Sequence, residues 1–485
     1  MRVNKLIPPW LQTQLCWILP AAATWLAVSY QAARPQPWRD EIASWSAATR
    51  TVPEIFELAR HIDGVLVPYY LFLHLWIGSY GDSVAAMRVP SLIAMTATAA
   101  AVALLCRRFW GNKAGLLAGL LFAVMPAVSR YGQEIRGYAF ASLFVTLATW
   151  ALVEALERSG WWRWALYAAC VSLIGLSHLV ALLVLAGHLV MVVTLAWWFG
   201  RWRMLWWLLA AAAGVGVVLP LTVRGLGQHD AQLSWLDPAT PKSLAEVAGT
   251  IFLTPVVGGV VAGLAVAALW RGRAAAAVLI WASVLLPIGL LYAYDQLAEP
   301  IFVGRYLLFC VPLLCALAGA ALSGLRLPVA LVAVLLTGAV GLPAQAAVRR
   351  DHSGFNYQAA AAVIRTNQRA GDGIVYEPRD GWQVVDLGLG YYLRDRAPHD
   401  LLLASDQRHN ASLWATECAD QVKCLGDPNR VWVVAADNID PPFRATPTNQ
   451  LGYGTRTVLD RYYIPIVTYR VEGFTIALFV RPPSV

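Results

Sequence analysis

Apolar runs of roughly 20 residues recur from Leu15 to Ala344, and they constrain the fold more than any other feature. A run of this length is what an α-helix needs to cross the hydrocarbon core of a bilayer. The 485-residue chain is 58% hydrophobic and only 14% charged, whereas a soluble domain carries about 25% charged residues. The pattern predicts a polytopic α-helical membrane protein and argues against a large soluble helical protein.

Short loops rich in arginine and lysine alternate along the chain with longer loops of mixed composition. Because basic loops stay in the cytoplasm, this alternation predicts a cytoplasmic N-terminus and about eleven transmembrane helices. The net charge of +8 is then a topology signal and gives no reason to expect nucleic acid as a partner. The predicted spans are residues 14–33, 84–106, 113–128, 136–156, 162–176, 178–198, 204–222, 246–269, 274–293, 302–323 and 326–346.

The run "VPYYLFLHLWIG" after the first span is short for a crossing and rich in aromatic residues. Counting it as a span would move every later arginine-rich loop to the outside. We therefore interpret it as a helix in the outer membrane interface, where tyrosine and tryptophan are favoured. The first outer loop then covers residues 34–83 of a membrane domain predicted over residues 1–348.

The composition changes after Val348. "RVWVVAAD" and "FTIALFVRP" are typical of strands, and "NYQAAAAVIRTNQ" is typical of a helix. Residues 349–485 are therefore predicted to form an extracytoplasmic α/β domain. Its "CADQVKC" segment holds Cys418 and Cys424, which could form a disulfide outside the cell or remain two free thiols.

The stretch "QPWRDEIASW" places two adjacent carboxylates, Asp40 and Glu41, near the start of the first outer loop. A carboxylate can act as a general base by accepting the proton of an attacking hydroxyl. Because neighbouring side chains point in different directions, only one of the two acids is expected to be that base. The alternative is a helix start, with Glu41 in the first turn and no chemical role for the pair.

Two further outer segments carry arginines beside aromatic residues. "SRYGQEIRGYAF" contains Arg136, and "EPIFVGRYLLF" contains Arg305. A guanidinium group suits the oxygen atoms of a phosphate, although a salt-bridged helix connection or an arginine at the membrane interface would give the same patterns. The sequence has no HExxH, Walker or GxGxxG pattern. Weaker isolated signals on the same side are His61, Asp63, His178, Arg224, His229 and Asp230.

Taken in order, five stretches resemble the GT-C membrane glycosyltransferases, and most closely glycosyltransferase family 39, which includes protein O-mannosyltransferases and aminoarabinose transferases. The resemblance covers roughly residues 14–345. The five stretches are "WRDE", "PYYLFLHLWIGSYGDSVAAMRVPSLI", "CRRFWG", "QEIRGYAF" and "GRYLLFCVPLLCALAG".

The resemblance implies a GT-C fold and an inverting transfer of a sugar, with mannose as the first expectation, from a polyprenyl-monophosphate donor to a hydroxyl acceptor. The acceptor could be a glycolipid, a glycan, a protein or a secreted peptide natural product. By position, Asp40 matches the general base and Glu41 its partner. Residues matched to the donor phosphate are Arg136, Arg305 and, where relatives carry a basic residue, His61. Candidate substrate contacts are Tyr69, Tyr131, Glu134, Tyr138, Tyr306 and Arg224.

The sequence leaves the need for a metal and the class of function open. The acid pair could hold a divalent cation such as Mg²⁺ or Mn²⁺, but two arginines near a phosphate could make a metal unnecessary. A transporter or flippase of lipid-linked sugars is the main alternative. It predicts paired broken helices and mid-membrane charges, whereas the sequence shows no such pair and few such charges. An inactive binding subunit is the third hypothesis. The composition suits the plasma membrane of a bacterium. The sugar, the acceptor and the oligomeric state are not indicated.

Overall fold

The computed structural model describes residues 8–228, 236–352, 354–439, 442–443 and 451–482. The chain divides into two compact units. The first, here called the helical unit, takes its residues from Met1–Ala32, Asp63–Tyr69 and Ala85–Arg350. The second, here called the mixed unit, takes them from Ala33–Ile62, Tyr70–Val84 and Asp351–Val485. Most of the predicted first outer loop therefore groups with the C-terminal part of the chain.

The described helices and strands are as follows. The helices are α1 (Pro9–Ser29), α2 (Arg39–Ala48), α3 (Val52–His61), α4 (Val67–Tyr80), α5 (Val84–Trp110), α6 (Asn112–Ala123), α7 (Pro126–Gly132), α8 (Tyr138–Glu157), α9 (Trp161–Ser177), α10 (Val184–Phe199), α11 (Trp202–Leu226), α12 (Pro241–Ala245), α13 (Val247–Phe252), α14 (Pro255–Ala267), α15 (Ala274–Leu297), α16 (Cys310–Leu322), α17 (Leu327–Val348), α18 (Tyr357–Asn367), α19 (Val385–Leu393), α20 (Gln421–Leu425) and α21 (Tyr453–Tyr462). The strands are β1 (Gly373–Glu377), β2 (His399–Asp400), β3 (Leu403–Ser405), β4 (Thr416–Glu417), β5 (Arg430–Ala436), β6 (Asn438–Ile439), β7 (Pro442–Phe443), β8 (Ile464–Val471) and β9 (Phe474–Val480).

Six of the described helices are long and apolar enough to cross a bilayer, namely α1, α5, α8, α11, α15 and α17. Helices α6 and α7 are bent by 64° at their junction and give a seventh crossing if they form one span. The chain is thus a multi-pass membrane protein. Each predicted span lies on one of the described helices or on neighbouring ones, but several of these are short, so the count of about eleven crossings stays a prediction. Helix α4, which contains the aromatic run that the sequence predicted to lie in the membrane interface, has only 14 residues.

Helix α16 forms the centre of the helical unit. All of its residues are buried, and it packs against α6, α8, α14 and α15. Its two cysteines, Cys310 and Cys315, are buried free thiols that fill space in this core. Large apolar side chains on α11 and α17 are instead exposed, as expected of helices that face lipid.

A chain of hydrogen bonds joins four helices inside this unit. Trp207 Nε1 on α11 donates to the Tyr167 hydroxyl on α9 over 3.0 Å. That hydroxyl lies 3.0 Å from His188 Nδ1 on α10, and His188 Nε2 lies 3.0 Å from Thr149 Oγ1 on α8. Because the threonine hydroxyl donates to the Val145 carbonyl, the imidazole must donate from Nε2 and accept at Nδ1. Each of these four side chains therefore has a hydrogen-bond partner within this network, as a lipid-embedded bundle requires.

We expect His188→Leu to destabilise the helical unit, because it removes two bonds and leaves the Tyr167 hydroxyl without its acceptor. Interhelical hydrogen bonds of this kind contribute about 0.6–1.7 kcal/mol each. The melting temperature of the purified protein in detergent should fall. Thr149→Val should lower it less, because it removes one interhelical bond instead of two and otherwise only a bond to a carbonyl of its own helix. A His188→Leu protein that melts at or above the wild-type temperature would show that the network does not stabilise the bundle.

The mixed unit is built on a five-stranded sheet in the order β2-β1-β5-β9-β8. Strand β1 pairs in parallel with β2 and β5, while β9 pairs antiparallel with β5 and β8. Strands β5 and β9 are those that the sequence predicted in "RVWVVAAD" and "FTIALFVRP". Both are almost completely buried, which explains their continuous apolar composition. Cys418 and Cys424 are joined by a disulfide, with a Cα–Cα distance of 6.4 Å.

Candidate active site

The adjacent acids Asp40 and Glu41 lie in the first turn of α2. The backbone N–H of Trp38, which precedes the helix, donates to Glu41 Oε2 over 3.1 Å. Glu41 therefore caps the helix, and a carboxylate at this end is also favoured by the helix dipole. The interpretation of this stretch as a helix start is correct, and it does not exclude a chemical role for the other acid.

The two carboxylates have different surroundings. Glu41 is 0% exposed, and its Oε2 lies 3.8 Å from Nδ1 of the equally buried His352. The side chain of Asp40 is 18% exposed, and its Oδ1 lies 3.8 Å from Nε of Arg39. Burial raises the pKa of Tyr357, and among nearby charges that of Arg39 lowers it while that of Asp40 raises it. The Asp40 carboxylate is thus partly exposed, whereas Glu41 is enclosed by protein.

Helix α2 is held in the mixed unit by contacts that the sequence did not reveal. Trp45 Nε1 donates to Asp82 Oδ2 over 2.9 Å, and Arg394 Nη1 donates to the same oxygen over 2.7 Å. Burial acts to raise the pKa of Asp82, but these two hydrogen bonds, the charge of Arg394 and a backbone hydrogen bond together outweigh it and hold that pKa below its usual value. The Trp45 ring also packs edge-on against Tyr391, with centroids 5.0 Å apart. These contacts fix the helix that carries Asp40.

The segment before α2 is fixed by one side chain, that of Gln36. Its Nε2 donates to the Phe355 carbonyl over 2.7 Å, and its Oε1 accepts from the Gln358 N–H over 3.2 Å. Gln36 is buried and satisfies one acceptor and one donor of the backbone at the start of α18. Both ends of the stretch "QPWRDEIASW" are therefore anchored, which keeps Asp40 in one place.

The helical unit gathers Arg136 and Arg305 around His178. The His178 ring lies 5.2 Å from the Tyr138 ring and 5.0 Å from the Tyr306 ring, measured between centroids. The guanidinium carbon of Arg305 is 5.6 Å from the centre of the Tyr306 ring. Arg136 immediately precedes Gly137, whose backbone packs against Ser177, the residue before His178. We call these five residues the arginine–aromatic cluster.

Two glycines allow the backbone to bring the arginines into this cluster. A Cβ on Gly137 would stand 2.3 Å from the Ser177 carbonyl oxygen, so the peptide after Arg136 packs directly on the end of α9, beside His178. A Cβ on Gly304 would stand 2.2 Å from Thr250 Cγ2, so the peptide before Arg305 packs on α13. A larger residue at position 137 would push the preceding Arg136 away, and a larger residue at position 304 would push the following Arg305 away.

Two other predicted substrate contacts next to the cluster have defined places. Glu134 is 1% exposed, and its carboxylate accepts from Arg130 Nη1 over 2.8 Å. Its backbone oxygen accepts from the Ser91 hydroxyl over 2.6 Å. Tyr131 is buried, with its ring 5.6 Å from that of Tyr138. Glu134 thus neutralises a neighbouring arginine.

The remaining predicted site residues have varied surroundings. Tyr69 is buried with its ring 6.4 Å from that of Phe140. Arg224 is exposed in the last turn of α11. The His61 side chain is 59% exposed, and its Nε2 lies 3.6 Å from the Glu57 carboxylate, which is a poor setting for a phosphate. His229 and Asp230 lie outside the described residues.

Within the part of the chain that the structure describes, no three histidine, cysteine, aspartate or glutamate side chains are grouped so that they could hold a metal ion. The arginine–aromatic cluster contains two guanidinium groups, whose N–H donors suit an anion beside aromatic rings, and a partly exposed carboxylate such as that of Asp40 can accept a proton.

Comparisons with known proteins agree with the resemblance found in the sequence. Residues 64–223 match the family model described as dolichyl-phosphate-mannose-protein mannosyltransferase. No curated protein sequence matches the chain. The structure is similar to that of ArnT from Cupriavidus metallidurans bound to undecaprenyl phosphate, with a TM-score of 0.63 and 13% identity, over 96% of this chain and 98% of ArnT. The apo state of ArnT matches with a TM-score of 0.61 and 12% identity over the same shares. The predicted GT-C fold is confirmed.

The different surroundings of the two acids lead to a stability prediction. Glu41→Ala should destabilise the protein by about 1–2 kcal/mol, because the cap of α2 is lost and the buried carboxylate leaves a void. Asp40→Asn should change stability by less than about 0.5 kcal/mol, since this side chain is partly exposed. Melting temperatures of the full-length variants test the difference. Equal losses for the two variants would contradict the distinct roles assigned to them.

Proposed function

We propose that the chain is an inverting glycosyltransferase that moves a sugar, with mannose as the first candidate, from a polyprenyl-monophosphate donor to a hydroxyl acceptor. The observation that carries the proposal is the collection of Arg136 and Arg305 around His178 and two tyrosines in a unit made largely of apolar helices. The family match over residues 64–223 and the fold shared with an ArnT bound to undecaprenyl phosphate support it.

On the donor side, the arginines hold the phosphate. A guanidinium group offers several N–H donors in a fixed fork, which matches phosphate oxygens. As the bond between the anomeric carbon and the phosphate oxygen breaks, negative charge grows on the leaving lipid phosphate. Charge already fixed at that place stabilises the transition state more than the ground state. Tyr138 and Tyr306 limit access of water and make the electrostatic attraction stronger.

On the acceptor side, Asp40 takes the proton. The acceptor oxygen attacks the anomeric carbon from the face opposite the phosphate, forms the new glycosidic bond and gives its proton to the Asp40 carboxylate. The single displacement inverts the anomeric configuration. Glu41 has a positioning role, because it caps α2 and cannot be reached by the acceptor. A glycolipid, a glycan, a protein and a secreted peptide natural product are all suitable acceptors.

The reaction takes place at the outer face of a bacterial plasma membrane in this proposal. The distribution of basic loops supports a cytoplasmic N-terminus and an extracytoplasmic C-terminal segment. The Cys418–Cys424 disulfide agrees with this, because disulfides persist outside the cytoplasm. Residues 349–485 would then be a domain outside the cell.

Asp40→Asn should lower the rate of sugar transfer by a factor of about 10²–10⁴, because an amide cannot accept the hydroxyl proton. Binding of undecaprenyl phosphate, followed by calorimetric titration, should be unchanged. Asp460→Asn, which alters an exposed acid on α21, serves as the matched control and should keep full activity. Full transfer activity in Asp40→Asn would remove Asp40 as the base.

Arg136→Ala and Arg305→Ala should each weaken the binding of undecaprenyl phosphate by a factor of about 10–100, the loss expected for a hydrogen bond between charged groups. Lysine at either position should restore only part of the affinity, because it lacks the fork. Arg158→Ala, at the exposed end of α8, is the control and should bind normally. If only the KM for the acceptor rose, the assignment of these arginines to the phosphate would be wrong.

A further inference from the structure

We propose that Asp295 is a positioning residue for the donor phosphate, because its carboxylate holds the loop that presents Arg305. The proposal rests on the proposed role of Arg305 in phosphate binding. Asp295 lies near the end of α15 and is 3% exposed. It lies ten residues before the arginine, and no sequence motif pointed to it.

The carboxylate of Asp295 accepts four hydrogen bonds. Its Oδ1 accepts from the backbone N–H groups of Ile301 and Phe302, each over 2.7 Å. Its Oδ2 accepts from the Ala239 N–H over 2.7 Å and from Gln296 Nε2 over 2.9 Å. Three of the donors are main-chain groups, so this one side chain fixes backbone on both sides of α12–α15.

Further contacts hold the short segment between Phe302 and Arg305. The Phe302 ring packs edge-on against Tyr292, which lies one turn before Asp295 on α15, with centroids 5.7 Å apart. The Tyr306 N–H donates to the Val303 carbonyl over 2.9 Å and so starts the turn that contains Arg305. Gly304 packs on Thr250. Asp295 thus fixes the backbone of Ile301 and Phe302, where the loop leaves α15, and the further contacts of Phe302, Gly304 and Tyr306 continue this order to Arg305.

We call such a buried carboxylate, which accepts several hydrogen bonds from separate segments, a hub. The hub at Asp295 holds the loop in place before the phosphate binds, so Arg305 is preorganised. An arginine on a loose loop must be ordered when the phosphate binds, which weakens binding, whereas a fixed one binds without that loss. A carboxylate suits this task because both oxygens accept only. In Asp295→Asn the amide NH₂ group faces two N–H donors in either orientation, so half of the hub is broken without a change in side-chain size.

The test is a double-mutant cycle in the full-length protein, with undecaprenyl phosphate as the titrant. Arg305→Ala should weaken its binding by about tenfold, and Asp295→Asn should weaken it by a similar factor. If Asp295 acts through Arg305, the double variant should bind within about twofold of Arg305→Ala alone, because the two losses are the same loss. Asp295→Glu, which keeps the charge but moves the oxygens, should show the same non-additivity and serves if Asp295→Asn does not fold.

Asp372→Asn is the matched control, because Asp372 is an equally buried hub in the mixed unit. Its carboxylate accepts from Arg430 Nε over 2.7 Å, from Trp432 Nε1 over 2.8 Å and from the Arg369 N–H over 3.0 Å. This variant should melt at a lower temperature and bind undecaprenyl phosphate normally. If Asp295→Asn and Asp372→Asn both melted at a lower temperature and both bound undecaprenyl phosphate weakly, a general loss of folded protein would explain the result. That outcome would overturn the positioning role.

The possible failures can be told apart. Normal binding in Asp295→Asn together with weak binding in Arg305→Ala overturns the inference and leaves the proposed function intact. Losses that multiply in the double variant also overturn it, because they show two independent contributions. Normal binding in Arg305→Ala overturns the proposed phosphate site itself.

Discussion

A charged group inside a bundle of apolar helices must be paired or must serve a ligand, and the helical unit depends on this constraint. Burying an ion without compensation costs far more than a single contact can return. Arg130 is matched by Glu134, and the Asp295 carboxylate is matched by four N–H donors. His188 stays neutral in a chain of hydrogen bonds. Arg136 and Arg305 lie close to one histidine and two tyrosines, and their N–H donors suit the oxygen atoms of a phosphate.

In the mixed unit, one of two adjacent carboxylates, Asp40, is partly exposed, while its neighbour Glu41 is enclosed. Successive residues of an α-helix point about 100° apart, so adjacent acids at a helix start face different surroundings. Glu41 is turned inward to its cap and to His352, and Asp40 is turned to partial exposure. Because α2 is fixed at Gln36 and at Trp45, the division between the two acids is maintained by residues that do no chemistry.

The sequence predicted those features that depend on local pattern. Apolar length predicted the long helices, short apolar stretches predicted β5 and β9, and a helix start at the acid pair was one of two interpretations of that stretch. It could not predict contacts between distant parts of the chain. Tyr138, His178 and Tyr306 come from three separate segments, and no periodicity links them. Asp295 was missed for the same reason, since its partners are backbone N–H groups that carry no sequence signal.

The central claim is that the donor is a sugar linked to a polyprenyl monophosphate. It is tested most directly by giving the purified full-length protein, in separate reactions, polyprenyl-monophosphate sugars, polyprenyl-diphosphate sugars and nucleotide sugars together with a hydroxyl acceptor, and measuring which donor loses its sugar. The account predicts consumption of a monophosphate-linked sugar, with release of polyprenyl phosphate and an inverted anomeric configuration in the product. Consumption of a nucleotide sugar, or a product that retains the configuration, would contradict it.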